Sequence, residues 1–195
     1  FDADYDQIQA QTMDGASELY TFAPAGVLLV MCTEKLYEGF CSTPAEQRSS
    51  FADAVMARIR TYWELISGHI NTRILQFTFA YMNDGSMGSY ALRECASFTF
   101  QLTKLNFLLS QAASERKDVF LVDINAVQSM IGAQRFKDDK LYYVAKMPFS
   151  LEALPYIAAR TVDVIRAIRG SIKKCAVLDL DNTLWGGVIG DDGLD

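Results

Sequence analysis

Val27-Leu28-Leu29-Val30-Met31 is a continuous apolar run, the signature of a short parallel strand buried on both faces. Its surroundings repeat in kind. Downstream, Thr43 is placed to cap a long helix, with Pro44 in the first turn and Glu46 three residues on as in a capping box. Phe51, Val55, Ile59, Tyr62, Trp63 and Ile66 then recur at helical spacing and form one apolar stripe, with Arg48, Asp53, Arg58 and Arg60 left to other faces.

A second strand is expected at Ile74 to Phe79, followed by a Gly-rich loop (Asn83, Asp84, Gly85, Gly88) and a helix carrying Phe98, Leu102, Leu105, Leu108 and Leu109. Val119 to Ile124 reads as a third strand, with Asn125 capping a shorter helix. Ser150 precedes a longer helix whose apolar face includes Leu154, Ile157, Val162, Ile165 and Ile168, and Gly170 stops it. The charged stretch from Gln134 to Lys140 reads as a solvated loop. Strand and helix alternating in this way imply right-handed crossovers and a parallel sheet, so the fold class is α/β with a doubly wound parallel sheet. Ligands of such folds sit at the carboxyl ends of the strands.

The 195 residues allow one well-buried domain and a remnant of a second. With 24 acidic against 18 basic residues the formal net charge is -6, and the scattered basic residues leave no footprint for a nucleic-acid backbone. No apolar run reaches the roughly 20 residues that cross a bilayer, and the first residues lack a signal-like pattern. A cytoplasmic protein with no nucleic-acid or membrane partner is expected. Cys32, Cys41, Cys95 and Cys175 form no CxxC pair and are expected as reduced, mostly buried thiols. The chain begins at Phe1 and stops at Asp195 without a helix to close the last motif, so both ends are expected to be cut.

That last motif follows a further buried-strand run, Cys175-Ala176-Val177-Leu178, and reads Asp179-Leu180-Asp181-Asn182-Thr183. Two aspartates two residues apart at a strand's carboxyl end both reach the crevice there if the backbone turns after the first. One carboxylate can then attack phosphorus while the other donates a proton to the leaving oxygen and later takes one from water. Their charge, added to that of a phosphate, calls for a hard oxygen-ligated cation such as Mg²⁺.

The DxDxT run resembles the first signature of the haloacid-dehalogenase (HAD) superfamily, and the string LDLDNTLWGGVIGDDG, residues 178–193, closely resembles the FkbH-like branch of it. The resemblance implies Asp179 as nucleophile and metal ligand, Asp181 as general acid/base that also lends its backbone carbonyl to Mg²⁺, and Asn182 and Thr183 as stabilisers of the loop. Gly186 and Gly187 permit the tight backbone of a short flap over the site. Trp185 is read as packing. The Ser or Thr, the Lys and the further acidic group that complete such a site lie downstream of this chain in the superfamily, so the fragment by itself is expected to be inactive.

FkbH-like proteins also carry an N-terminal α/β domain similar to SGNH esterases, and SELYTFAP and KLYYVAKMPFS fit that layout. The resemblance therefore implies an SGNH/flavodoxin-like three-layer sandwich over residues 1–170, truncated at its N-terminus, and the first strand and flap of a HAD Rossmann-like domain over 171–195. An active SGNH hydrolase needs a serine after its first strand, here expected before Phe1, and a late histidine. His69 is the sole histidine, and it is read as an exposed residue favoured at a helix C-terminus. Asn83, Asp84, Ser86 and Ser89 are read as loop chemistry. The parent is expected to be a Mg²⁺-dependent phosphatase or phosphotransferase of a phosphorylated small molecule. The branch is associated with moving a glyceryl group from a phosphorylated donor to an acyl carrier protein. The alternative is a non-catalytic module that docks the carrier or organises assembly, with Arg58, Arg60 and Arg73 as candidate contacts.

Overall fold

The structure, a computed structural model, describes residues 7–171 together with Ala3 and Cys175. The chain divides into two units, Phe1–Val164 and Ile165–Asp195. In chain order the elements are α1 (Ile8–Met13), α2 (Glu18–Phe22), β1 (Gly26–Leu29), α3 (Thr33–Ser42), α4 (Phe51–His69), β2 (Arg73–Phe77), α5 (Phe98–Ser114), β3 (Val119–Val122), α6 (Ile124–Ile131), α7 (Ala133–Phe136), α8 (Asp139–Ala145) and α9 (Leu154–Ile168).

The described strands form a parallel three-stranded sheet in the order β1-β2-β3, with Val27 opposite Ile74 and Ile74 opposite Val119. The α/β class with a parallel sheet is therefore present. A doubly wound sheet requires the strand order to reverse, and no reversal falls among the described residues. Crossovers of one hand running in one direction carry their helices to the same face. Accordingly, α4 and α5 cover one face together, and Val27, Leu29, Ile74 and Val119 pack there with Val55, Ile59, Trp63, Ile66, Leu102, Leu105 and Leu109. On the other face Phe77 meets Phe149, and Phe149 meets Phe136 edge-on at 5.5 Å.

Two buried glutamines tie the helical layer together. Gln76 in β2 accepts the indole N–H of Trp63 at 3.3 Å. Gln101 in α5 accepts the backbone N–H of Ala52 at 2.7 Å and donates to the carbonyls of Cys95 and Ser49.

Several local expectations are corrected. β1 is buried on one face only: Val27 and Leu29 pack in the core under the helices, while the alternate residue Leu28 is 46% exposed. Thr43 does not cap α4. It closes α3, its hydroxyl donating to the carbonyl of Gly39 at 2.8 Å, and a 3-10 turn over 45–50 leads into α4. Asp123, not Asn125, caps α6 by accepting the N–H of Ala126, while Asn125 donates to the carbonyl of Phe79. The stretch 134–140 holds α7 and the start of α8, with Phe136 buried and Asp138 capping through the N–H of Leu141. Cys41, Cys95 and Cys175 are exposed and Cys32 is half-buried, so the thiols are free but not mostly buried. Gly170, at φ 69°, ends α9 as expected, with the N–H of Ser171 returning to the carbonyl of Arg166 in a Schellman closure.

Candidate functional site

Two depressions mark opposite ends of the sheet. At the amino ends of β2 and β3, Ser67, His69, Asn71, Arg73 and Asp118 line an open hollow of ≈ 340 Å³. Ser67 donates to Asp118, whose carboxylate also takes two N–H groups of Arg116 at 3.0 and 2.6 Å. The Arg116 guanidinium holds the Asp118 carboxyl below its usual range, partial burial opposing it and Ser67 adding to it. Arg116 also donates to the Ser67 oxygen at 3.1 Å, which engages one of its two lone pairs. His69 stacks on Tyr20 at 4.3 Å and turns Nδ1 to the carbonyl of Leu65. Serine, aspartate and histidine thus share the hollow without the serine-to-histidine and histidine-to-aspartate contacts of a hydrolytic triad.

The second depression, ≈ 160 Å³, lies where ligands of open parallel sheets bind, at the carboxyl ends of β1 and β2. The turn from β1 into α3 brings Met31, Cys32, Thr33 and Glu34. The segment after β2 brings Thr78 and Ala80 to Asn83, α6 brings Gln128, and Phe136, Lys137 and Phe149 close the far side. Glu34 meets Lys137 at 3.1 Å, and Lys137 also meets Asp139 at 2.9 Å. Partial burial disfavours the Lys137 charge, but these two carboxylates outweigh it and hold the ammonium above its ordinary value. Burial pushes the Cys32 thiol up, with Glu34 and Glu38 adding to the rise, so this thiol is kept neutral and lacks the electropositive setting of a reactive cysteine.

Asn83 and Asp84 accept the backbone N–H groups of Gly85 and Ser86, the loop role expected of them. Ser86 donates to the Asp84 carboxylate, and no histidine neighbours it. Among the described residues, no three His, Cys, Asp or Glu side chains gather as a metal site. The residues assigned to phosphoryl transfer, Asp179, Asp181, Asn182, Thr183, Gly186 and Gly187, lie outside the described residues, as does Trp185. Sequence reading missed the cleft. Its traces were the expected ligand end of the strands, Asn83 after β2, read as loop chemistry, and Lys137 inside the charged stretch.

The sequence matches the family described as FkbH, N-terminal domain, over residues 1–166. The chain belongs to that family. Its structure is similar to a solved one from Bacteroides fragilis, described as the N-terminal part of the protein BF1531 containing a phosphatase domain complexed with Mg. The TM-score is 0.87 and the identity 36%, over 99% of this chain and 50% of the other, so this FkbH N-terminal chain spans half the length of that relative. No curated protein matches it in sequence. Among the described residues of this FkbH-family chain, no helix is long and apolar enough to cross a membrane.

Proposed function

We propose that this chain is the N-terminal part of a Mg²⁺-dependent phosphatase or phosphotransferase of the HAD class, in which residues 171–195 open the catalytic domain and 1–170 form an SGNH-like accessory domain. The observation that carries the reading is the string LDLDNTLWGGVIGDDG at 178–193. The described phosphatase domain and Mg of the Bacteroides fragilis relative support it. Asp179 and Asp181 are hard oxygen donors, the donor chemistry a Mg²⁺ ion takes, and they are the residues that would hold it. When bound, the ion offsets the negative charge of carboxylate and phosphate.

An Asp179 carboxylate oxygen forms a bond to phosphorus as the ester P–O bond breaks. Asp181 gives its proton to the leaving oxygen. It then takes a proton from the water, or from the hydroxyl or thiol acceptor, that attacks phosphorus and restores Asp179. Asn182 and Thr183 stabilise the loop, while Gly186 and Gly187 let its backbone pass close to the phosphate. Transfer of a glyceryl group from a phosphorylated three-carbon donor to an acyl carrier protein is the more specific reading, resting on the FkbH-like resemblance.

The first domain is read as non-hydrolytic. Its cleft at the strand ends holds a neutral thiol and a satisfied ion pair instead of a nucleophile with a base. The second reading is that this domain docks a carrier protein or organises assembly.

The test is Mg²⁺-dependent phosphate release from an aryl phosphate by the downstream-extended parent beside its Asp179→Asn variant. Activity in the parent and none in the variant is expected, and a variant as active as the parent would falsify the assignment of the nucleophile. Inactivity of both, joined to capture of a carrier protein, would favour the docking reading.

A further inference from the structure

The geometry points to the cleft at the carboxyl ends of β1 and β2 as a binding site for a short, neutral, mainly apolar group of about six carbons bearing one hydrogen-bond-accepting oxygen. The assignment does not rest on the phosphoryl-transfer reading, since every residue it uses lies within 31–149.

Size comes first. A cavity of about 150 Å³ admits a benzene ring, and this cleft of ≈ 160 Å³ has room for a group of that bulk and little more. Polarity follows from which lining groups are already satisfied. The hydroxyl of Thr33 donates to the carbonyl of Ala80 at 2.9 Å, and that of Thr78 accepts the N–H of Ile124 at 2.9 Å. Gln128 closes both ends of its amide on the backbone of Tyr81, at 2.8 and 2.9 Å. Thr33 and Gln128 thereby turn to the backbone, and a polar ligand atom set against them would lose its water without a replacement bond, whereas the Thr78 hydroxyl keeps its own proton to donate. Much of the remaining lining is carbon and sulfur, from Met31, Met82, Ile124, Phe136 and Phe149 beside the neutral Cys32 thiol, with Glu34, Asn83 and Lys137 as its polar side chains.

Lys137 supplies the charged donor. The Lys137 ammonium has three N–H groups; Glu34 and Asp139 take two of them, and the ammonium also lies 5.6 Å from the centre of the Tyr142 ring, a weak contact that leaves the third N–H without an oxygen acceptor. The third can meet an oxygen. That oxygen belongs to a neutral group because Lys137 faces two carboxylates, so the local charge is already negative and a carboxylate or phosphate would be repelled. A ketone, ester or amide carbonyl fits.

The experiment uses the full-length protein with methyl-labelled methionine, 2-hexanone as the neutral probe and hexanoate as its charged counterpart. The Met31 and Met82 methyl signals, assigned by single Met→Leu changes, should shift saturably with 2-hexanone while Met56 in the core stays still. Hexanoate should bind at least about tenfold more weakly. Ala133 lines the cleft but is exposed, so Ala133→Leu should fill the mouth without disturbing the core and weaken 2-hexanone at least about tenfold. Unmoved Met31 and Met82 signals would overturn the site. Equal or tighter binding of hexanoate would overturn its preference for a neutral group, and an unchanged titration in a folded Ala133→Leu protein would overturn its location.

Discussion

Trp63 gives its indole N–H to the side-chain oxygen of Gln76 across the helix–sheet interface, at 3.3 Å and with both side chains fully buried. Gln76 in turn donates to the carbonyl of Phe77 at 2.9 Å. An amide in the middle of a parallel strand is tolerated because both ends of it are used. Gln76→Leu keeps the shape and removes these bonds together with a longer donation to the carbonyl of Leu29 at 3.4 Å, leaving the buried Trp63 donor unpaired. It should lower stability by about 1–3 kcal/mol, read from the urea midpoint. No change in midpoint would mean that water replaces the glutamine.

Gln101 makes a sharper case, because its buried amide both accepts from Ala52 and donates to Ser49 and Cys95. Gln101→Glu keeps the acceptor and turns the donor into a second acceptor facing two carbonyls. At neutral pH the variant should lose more than about 3 kcal/mol. Burial would raise the new carboxyl's pKa in the fold, so the loss should shrink as the pH falls and the group protonates. A deficit that stays constant from neutral pH into the acid range would contradict the charge argument.

The parts of this fold that could be read in sequence are those in which one pattern does one job. The three apolar runs became β1, β2 and β3, and the stripe from Val55 to Ile66 became the buried face of α4. Reading failed where two elements compete for one residue. Thr43, Pro44 and Glu46 satisfy a helix start, yet Thr43 spends its hydroxyl on the carbonyl of Gly39 behind it. Lys137 to Lys140 looked solvated because charge hides the cap at Asp138 and the buried Phe136 next to it. The end of the sheet that holds the cleft was legible, but its walls were not, because they come from segments around 31, 80, 128 and 149, which only the parallel topology brings together.

Asp118 sets part of the acid stability. Arg116 holds its carboxyl below the ordinary 3.8 in the folded protein, with Ser67 assisting against partial burial. A carboxyl with a depressed folded pKa contributes stability that is fully present above its unfolded value and is lost as pH falls through the folded one. The wild-type protein should therefore lose this contribution from about pH 4 downward, and Asp118→Asn should lack that segment of the pH–stability curve. The side chains of the pair are 27% and 25% exposed, so the effect should be about 1 kcal/mol. Parallel acid limbs for the two proteins would exclude it.

The thiols should react in a set order. Cys41 and Cys95 are exposed, whereas Cys32 is half-buried with its pKa raised by burial. Since the thiolate is the reacting form, an alkylating agent near neutral pH should label Cys41 and Cys95 well before Cys32, as peptide mass mapping would show. Labelling of Cys32 first would reveal an activated thiol in the cleft and reopen a nucleophilic role for this domain.

Asp181, on the proposed mechanism, matters in proportion to how badly the leaving oxygen needs a proton. An alkyl phosphate expels a strongly basic alkoxide, whereas a nitrophenyl phosphate expels a phenolate that is stable without protonation. In the downstream-extended parent, Asp181→Asn should therefore slow an alkyl phosphate by roughly 10²–10⁴-fold. Formation of the phospho-enzyme from the aryl substrate should suffer much less. Because the same carboxylate then activates water, the phosphorylated Asp179 should accumulate in the variant and appear as a burst of phenolate followed by slow turnover. Equal losses on both substrates with no burst would make Asp181 a loop or metal-holding residue instead of the proton carrier.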